Sequence, residues 1–109
     1  MAREDKELRE LRELKENLQR LLGDRLLRMV LFGSRARGDH GVESDYDIAI
    51  IVRGLTRELK HQILDEVAEV ELEHLMPLSV LVLPEDEFDH LKKRERGIAL
   101  DIDREGISL

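Results

Sequence analysis

Leu31-Phe32-Gly33-Ser34-Arg35-Ala36-Arg37-Gly38, followed by Ser44-Asp45-Tyr46-Asp47-Ile48-Ala49-Ile50, is the stretch from which the rest of the chain can be read. The first half closes a short apolar run, residues 26–32, at a glycine. Such a run suits a strand buried on both faces. The second half opens another run of the same kind, residues 46–53, and between them lies a segment rich in turn formers whose start could open a short helix. Two buried strands joined through a glycine-rich turn require helices to cover both faces of a sheet.

Those helices are legible on either side. Leu8, Leu11, Leu14, Leu18, Leu21 and Leu22 recur at spacings of three and four, which predicts an amphipathic helix over residues 4–22, ended by Gly23-Asp24. The Glu-Leu-Arg triplets in it are too few for a coiled coil, so the leucine face is expected to pack on the sheet. Downstream, Thr56 is a candidate N-cap for a helix carrying Leu59, Ile63, Val67 and Val70 on one side and running to about Leu75. Between Pro77 and Pro84 lie six residues, Leu78 to Leu83, the length of a third strand. Glu85-Asp86-Glu87 then suits a helix N-terminus. Ile98, Leu100, Ile102 and Ile107 fit a last helix better than a short strand. The expected fold is α/β (α+β), a small mixed sheet with helices packed on it, formed by residues 1–109 as one domain.

Composition limits the function. Of 109 residues, 41% are apolar and 39% charged, too apolar for disorder and too charged for a membrane span. No cysteine is present, so neither disulfides nor thiolate metal sites enter. With no apolar signal segment at the start, a cytoplasmic location is expected. A net charge of −7 disfavours nucleic acid as a partner, because backbone binding is driven by Lys and Arg displacing counterions. Lys92-Lys93-Arg94 reads as a solvated helix face. No membrane partner is expected, and a homo-oligomer is left open.

Chemistry concentrates at Gly33-Ser34 and at Asp45-Tyr46-Asp47, separated by ten residues. Residues two apart on a strand project from one face, so Asp45 and Asp47 can converge while Tyr46 points away. Carboxylates so placed repel each other unless a cation lies between them, and Mg²⁺ takes such ligands together with substrate phosphates. Gly33 allows the backbone to approach a phosphate, and Ser34 adds a hydroxyl and an amide. Taken alone, Asp-x-Asp beside glycines is more often a self-capped turn, and its placement with Gly33-Ser34 on two adjacent buried strands is what favours the site. Arg35 offers a guanidinium fork for phosphate, against pairing with local acids such as Asp39 or Glu43. Arg37 favours the second role. His40 is a solvated loop imidazole, and His61, His74 and His90 show no spacing that suggests zinc.

These two runs resemble the signature of the minimal nucleotidyltransferases, the smallest branch of the DNA polymerase beta superfamily. The resemblance implies a polymerase beta-like fold in which Gly33 and Ser34 hold a nucleoside triphosphate, with ATP expected. It also implies that Asp45 and Asp47 are the catalytic pair and bind Mg²⁺, or Mn²⁺ in its place, while a nucleoside monophosphate, AMP, passes to a hydroxyl of a partner protein. The implied partner is a small helical protein of the HEPN type, paired with such chains as toxin and antitoxin. One position departs from the family pattern. Where a third carboxylate is implied on the next strand, this chain has Ser79, a poor base and a weaker ligand. Glu73, Glu85 and Asp86 are the acids that could replace it. The alternative to an active enzyme is therefore a nucleotide-binding antitoxin that neutralises its partner by contact.

Overall fold

The computed structural model describes residues 3–37, 45–94 and 97–109. Helix α1 (Arg3–Leu22) leads through a 3-10 turn (Gly23–Arg25) into strand β1 (Leu26–Phe32), followed by short helix α2 (Gly33–Arg37). Strand β2 (Tyr46–Val52), helix α3 (Arg57–His74) and strand β3 (Leu78–Pro84) come next. Helices α4 (Glu85–Lys93) and α5 (Gly97–Glu105) and strand β4 (Ile107–Ser108) complete the order.

The four strands form one mixed sheet in the order β3-β2-β1-β4. β1 is antiparallel to both β2 and β4, and β2 is parallel to β3. The parallel pair needs a crossover, which α3 supplies. Strand alternation divides the side chains into two cores. Met29, Leu31, Tyr46, Ile48, Ile50 and Val52 meet Leu11, Leu14 and Leu18 of α1 and Ile63, Val67 and Val70 of α3. On the other face Val30, Ala49, Ile51 and Leu83 meet Phe88 of α4 and Ala99 and Ile102 of α5. The leucines of α1 therefore cover a sheet, as their spacing requires.

Local signals set the helix ends. Thr56 Oγ1 accepts a hydrogen bond from the Leu59 amide at 3.1 Å, capping α3. At its far end α3 stops on Leu75, in the left-handed region with φ 53°. The tail divides in two. Ile98, Leu100 and Ile102 lie on α5 as expected, whereas Ile107 lies on β4 and corrects the reading of one continuous helix. Gly106 makes the break possible: a Cβ there would meet Val30 Cγ1 at 2.1 Å and the Ile102 carbonyl oxygen at 2.4 Å, so only glycine lets the chain turn this tightly onto β1. Leu109 then closes the register, its amide donating to the Met29 carbonyl at 3.0 Å. No helix among the described residues is long and apolar enough to cross a membrane.

Candidate functional site

Gly33 ends β1 and begins α2 with φ 73°, a conformation that a side chain resists. Its bare Cα lies beneath the carboxylate of Asp47: an added Cβ would stand 2.3 Å from Asp47 Oδ2. The glycine of one motif thus makes room for the aspartate of the other. Asp47 is half-buried on β2, opposite Phe32 of β1 and, on the other side, Ser79 of β3. Paired residues in neighbouring strands share a face, so Phe32, Asp47 and Ser79 form a row at the end of the sheet. Asp45, exposed, directly precedes β2. The start of that strand is held by the Tyr46 amide, which donates to the Pro77 carbonyl at 2.9 Å.

Of the remaining predicted site residues, Ser34 lies in α2 next to Gly33. Arg35 goes elsewhere. Its guanidinium stacks over the Tyr46 ring, 4.1 Å from the centroid, and lies 3.9 Å from Glu7 Oε2 of α1. Tyr46 belongs to the core under α1 and α3, whereas Gly33 and Asp47 meet on the opposite face of the sheet. Neither Glu7 nor Tyr46 stands near Arg35 in a way that sequence spacing reveals. Asp39, His40 and Glu43 lie outside the described residues.

The acids considered as replacements for a carboxylate at Ser79 are placed away from it. Glu85 and Asp86 follow β3 at its far end, about 20 Å along the strand from Ser79 at roughly 3.3 Å per residue. Glu73 ends α3 on the other face of the sheet, 3.9 Å from His74.

His74 itself was given no role by sequence, and the structure puts it among carboxylates. Its Nε2 is 2.7 Å from Glu13 Oε2 and its Nδ1 is 3.6 Å from Glu10 Oε1, both on α1. The hydrogen bond to Glu13 raises its pKa above 6.5. Burial opposes the rise, while the charges of Glu10, Glu13 and Glu73 add to it. Glu13, Glu73 and His74 present ligand atoms within 4.8 Å of one another, close enough for one ion. The signal was hidden because the partners are far apart in sequence and meet only when α1 and α3 pack.

The sequence profile of the nucleotidyltransferase domain matches residues 11–101, a span containing Gly33, Ser34, Asp45, Asp47 and Ser79. The chain belongs to this nucleotidyltransferase family. Among its relatives is a protein of Methanocaldococcus jannaschii named "Putative protein adenylyltransferase", 34% identical over 68 residues that cover 62% of this chain and 69% of the relative. A crystal structure of a "putative nucleotidyltransferase" from Sulfolobus solfataricus superposes with TM-score 0.60 at 23% identity, covering 93% of this chain and 77% of that one. The likeness shows that the two share the nucleotidyltransferase fold. Nucleotidyl transfer is thus the general chemistry of the family to which this chain belongs, and such proteins generally use divalent metal ions.

Proposed function

We propose that the row at the sheet end binds a nucleoside triphosphate, ATP, with Mg²⁺, and transfers AMP to a hydroxyl of a partner protein. The observation that carries this reading is the contact of Gly33 with Asp47. It joins a glycine-serine turn suited to phosphate to a carboxylate suited to a hard cation. Asp45 and Asp47, two apart at the start of one strand, are the donors that fit Mg²⁺. When bound, the ion neutralises phosphate charge and polarises the attacking and leaving oxygens. The missing side chain of Gly33 gives the Asp47 carboxylate room to stand over the start of α2. In the transfer, the acceptor hydroxyl gives up its proton to solvent, its oxygen bonds to the α-phosphorus in line, the bond to the bridging oxygen breaks, and pyrophosphate leaves. A HEPN-type helical protein is the proposed source of the acceptor. The M. jannaschii relative's name supports protein as the acceptor class.

Ser79 supports a second reading. It stands opposite Asp47, where a carboxylate would complete the set, and a serine hydroxyl is too weak a base to take the acceptor's proton efficiently. Binding without rapid turnover suits an antitoxin that acts by contact. The experiment that tests both begins with Mg·ATP and melting temperature. A ligand specific to the native state at a hundred times its Kd stabilises by about 2.7 kcal/mol. Asp45→Asn with Asp47→Asn should remove the shift, and an unchanged response overturns the site. Label from α-³²P-ATP then separates the readings. If Ser79 limits chemistry, Ser79→Asp should speed labelling of the partner, whereas brisk labelling by the parent that Ser79→Asp slows supports the active enzyme.

A further inference from the structure

The outer face of α3 carries a feature that neither nucleotide binding nor core packing uses. Leu64, Ala68 and Leu72 follow one another at spacings of four on one face of α3, and Leu75 stands just past the end of the helix. All are exposed: Leu64 by 42%, Leu72 by 77% and Leu75 by 85%. They point away from Ile63, Val67 and Val70, which already bury the inner face of the helix. Leu75 is costly twice over, since a bulky residue is disfavoured both at φ 53° and in water, and a C-cap position would accept glycine or asparagine more cheaply. Three large leucines thus face solvent within the last three turns of α3 and its cap, more than scattered single exposures would give.

Charge decides what covers it. Asp65 and Glu69, both exposed, run beside the leucines four residues apart as an acidic row, while the exposed Glu58 stands before Leu64 together with the cations Arg57 and Lys60. A second copy packed stripe to stripe would bring two such rows together in a chain of net charge −7. An anionic lipid surface would be repelled in the same way, because interfacial helices bind lipid through Lys and Arg flanks. We infer that the outer face of α3 docks an amphipathic helix of another protein, one whose apolar stripe is flanked by Lys or Arg. From Leu64 to Leu75 the stripe spans about 16 Å, which three turns of a partner helix match. Helix-in-groove and helix-on-helix recognition uses anchors at this spacing. The surface is independent of nucleotide transfer, because it shares no residue with Gly33, Asp45 or Asp47.

The test uses the full chain and two synthetic helical peptides with the same leucine spacing, one flanked by Lys and Arg and the other by Glu, read by fluorescence anisotropy. The cationic peptide should bind saturably and the acidic one at least tenfold more weakly. Leu72→Glu with Leu75→Glu should weaken the cationic peptide at least tenfold, although the two added negative charges would strengthen a purely electrostatic contact. Asp65→Asn and Glu69→Gln together should weaken it several-fold and flatten its salt dependence. Far-UV circular dichroism checks that the variants fold, and Ala68→Glu, which leaves every leucine in place, should give the same loss. The inference is overturned if the leucine variants bind the cationic peptide as well as the parent does or better, or if both peptides bind alike. A dimer in sedimentation that Leu72→Glu with Leu75→Glu dissolves would also overturn it, making the occupant a second copy.

Discussion

Replacing Gly33 by alanine imposes two separable costs, and their sizes follow from the geometry. The first is backbone: at φ 73° an L-residue with a Cβ loses about 1–2 kcal/mol relative to glycine. The second is contact. The new Cβ would lie 2.3 Å from Asp47 Oδ2, and an ordinary contact begins near 3.4 Å, so the carboxylate must retreat by about 1 Å. Gly54 provides the control, because its φ is 66° yet a Cβ there meets nothing within 4 Å. Gly54→Ala should therefore show the backbone cost alone, a loss of roughly 4–8 °C in melting temperature per kcal/mol for a domain of this size. Gly33→Ala should lose more, and should weaken the stabilisation by Mg·ATP, which Gly54→Ala leaves intact. Displacement of a reacting group by 1 Å can cost about a hundredfold in rate, so labelling by Gly33→Ala should fall by that order. A double-mutant cycle isolates the contact: in an Asp47→Ala background, Gly33→Ala should cost no more than Gly54→Ala. Equal costs of Gly33→Ala with and without the Asp47 carboxylate would refute the close approach on which the site rests.

Three further outcomes test the scaffold. His74 has its pKa raised by Glu13 first, so the stability it adds is fully present below about pH 6.5 and is lost as pH rises through the elevated folded value. His74→Gln should flatten that dependence in chemical denaturation profiles, and a parent that gains stability from pH 6 to 8 through this residue would contradict the assignment. Thr56→Ala removes the cap on α3 and should cost about 1 kcal/mol, with Thr56→Ser close to the parent in urea unfolding. Leu14→Ala opens a fully buried position between α1 and the sheet and should cost about 2–5 kcal/mol in the same assay, whereas Leu72→Ala should cost little.

How far the sequence reached follows from which forces are local. β1 ends where the apolar run meets Gly33, and α3 begins where Thr56 can cap it, because both signals lie within a few residues of the structure they specify. Gly33 and Asp47 were legible as partners since each ends a strand and the strands are neighbours. The environment of Arg35 was not: Glu7 comes from another helix and the stacked ring from a strand whose register had to be known first. His74 was missed for the same reason, its carboxylates arriving only when α1 and α3 dock. The tail was ambiguous because Ile98, Leu100 and Ile102 alternate as on a strand while Ile98 and Ile102 also share a helix face, and the close contact of Gly106 with Val30 is tertiary.

The two-residue strand β4 has a consequence for synthesis. During translation β1 can pair with β2 and β2 with β3 as soon as those segments leave the ribosome, but the outer edge of β1 waits for Ile107 and Ser108. At about 5–20 residues per second, that interval is roughly 4–15 s. Throughout it, Met29 and Leu31, whose backbone groups face away from β2, present unpaired amides and carbonyls on an apolar strand, a template for pairing with another nascent chain. The short C-terminal strand closes that edge, and truncation before Gly106 would leave it open in the finished protein.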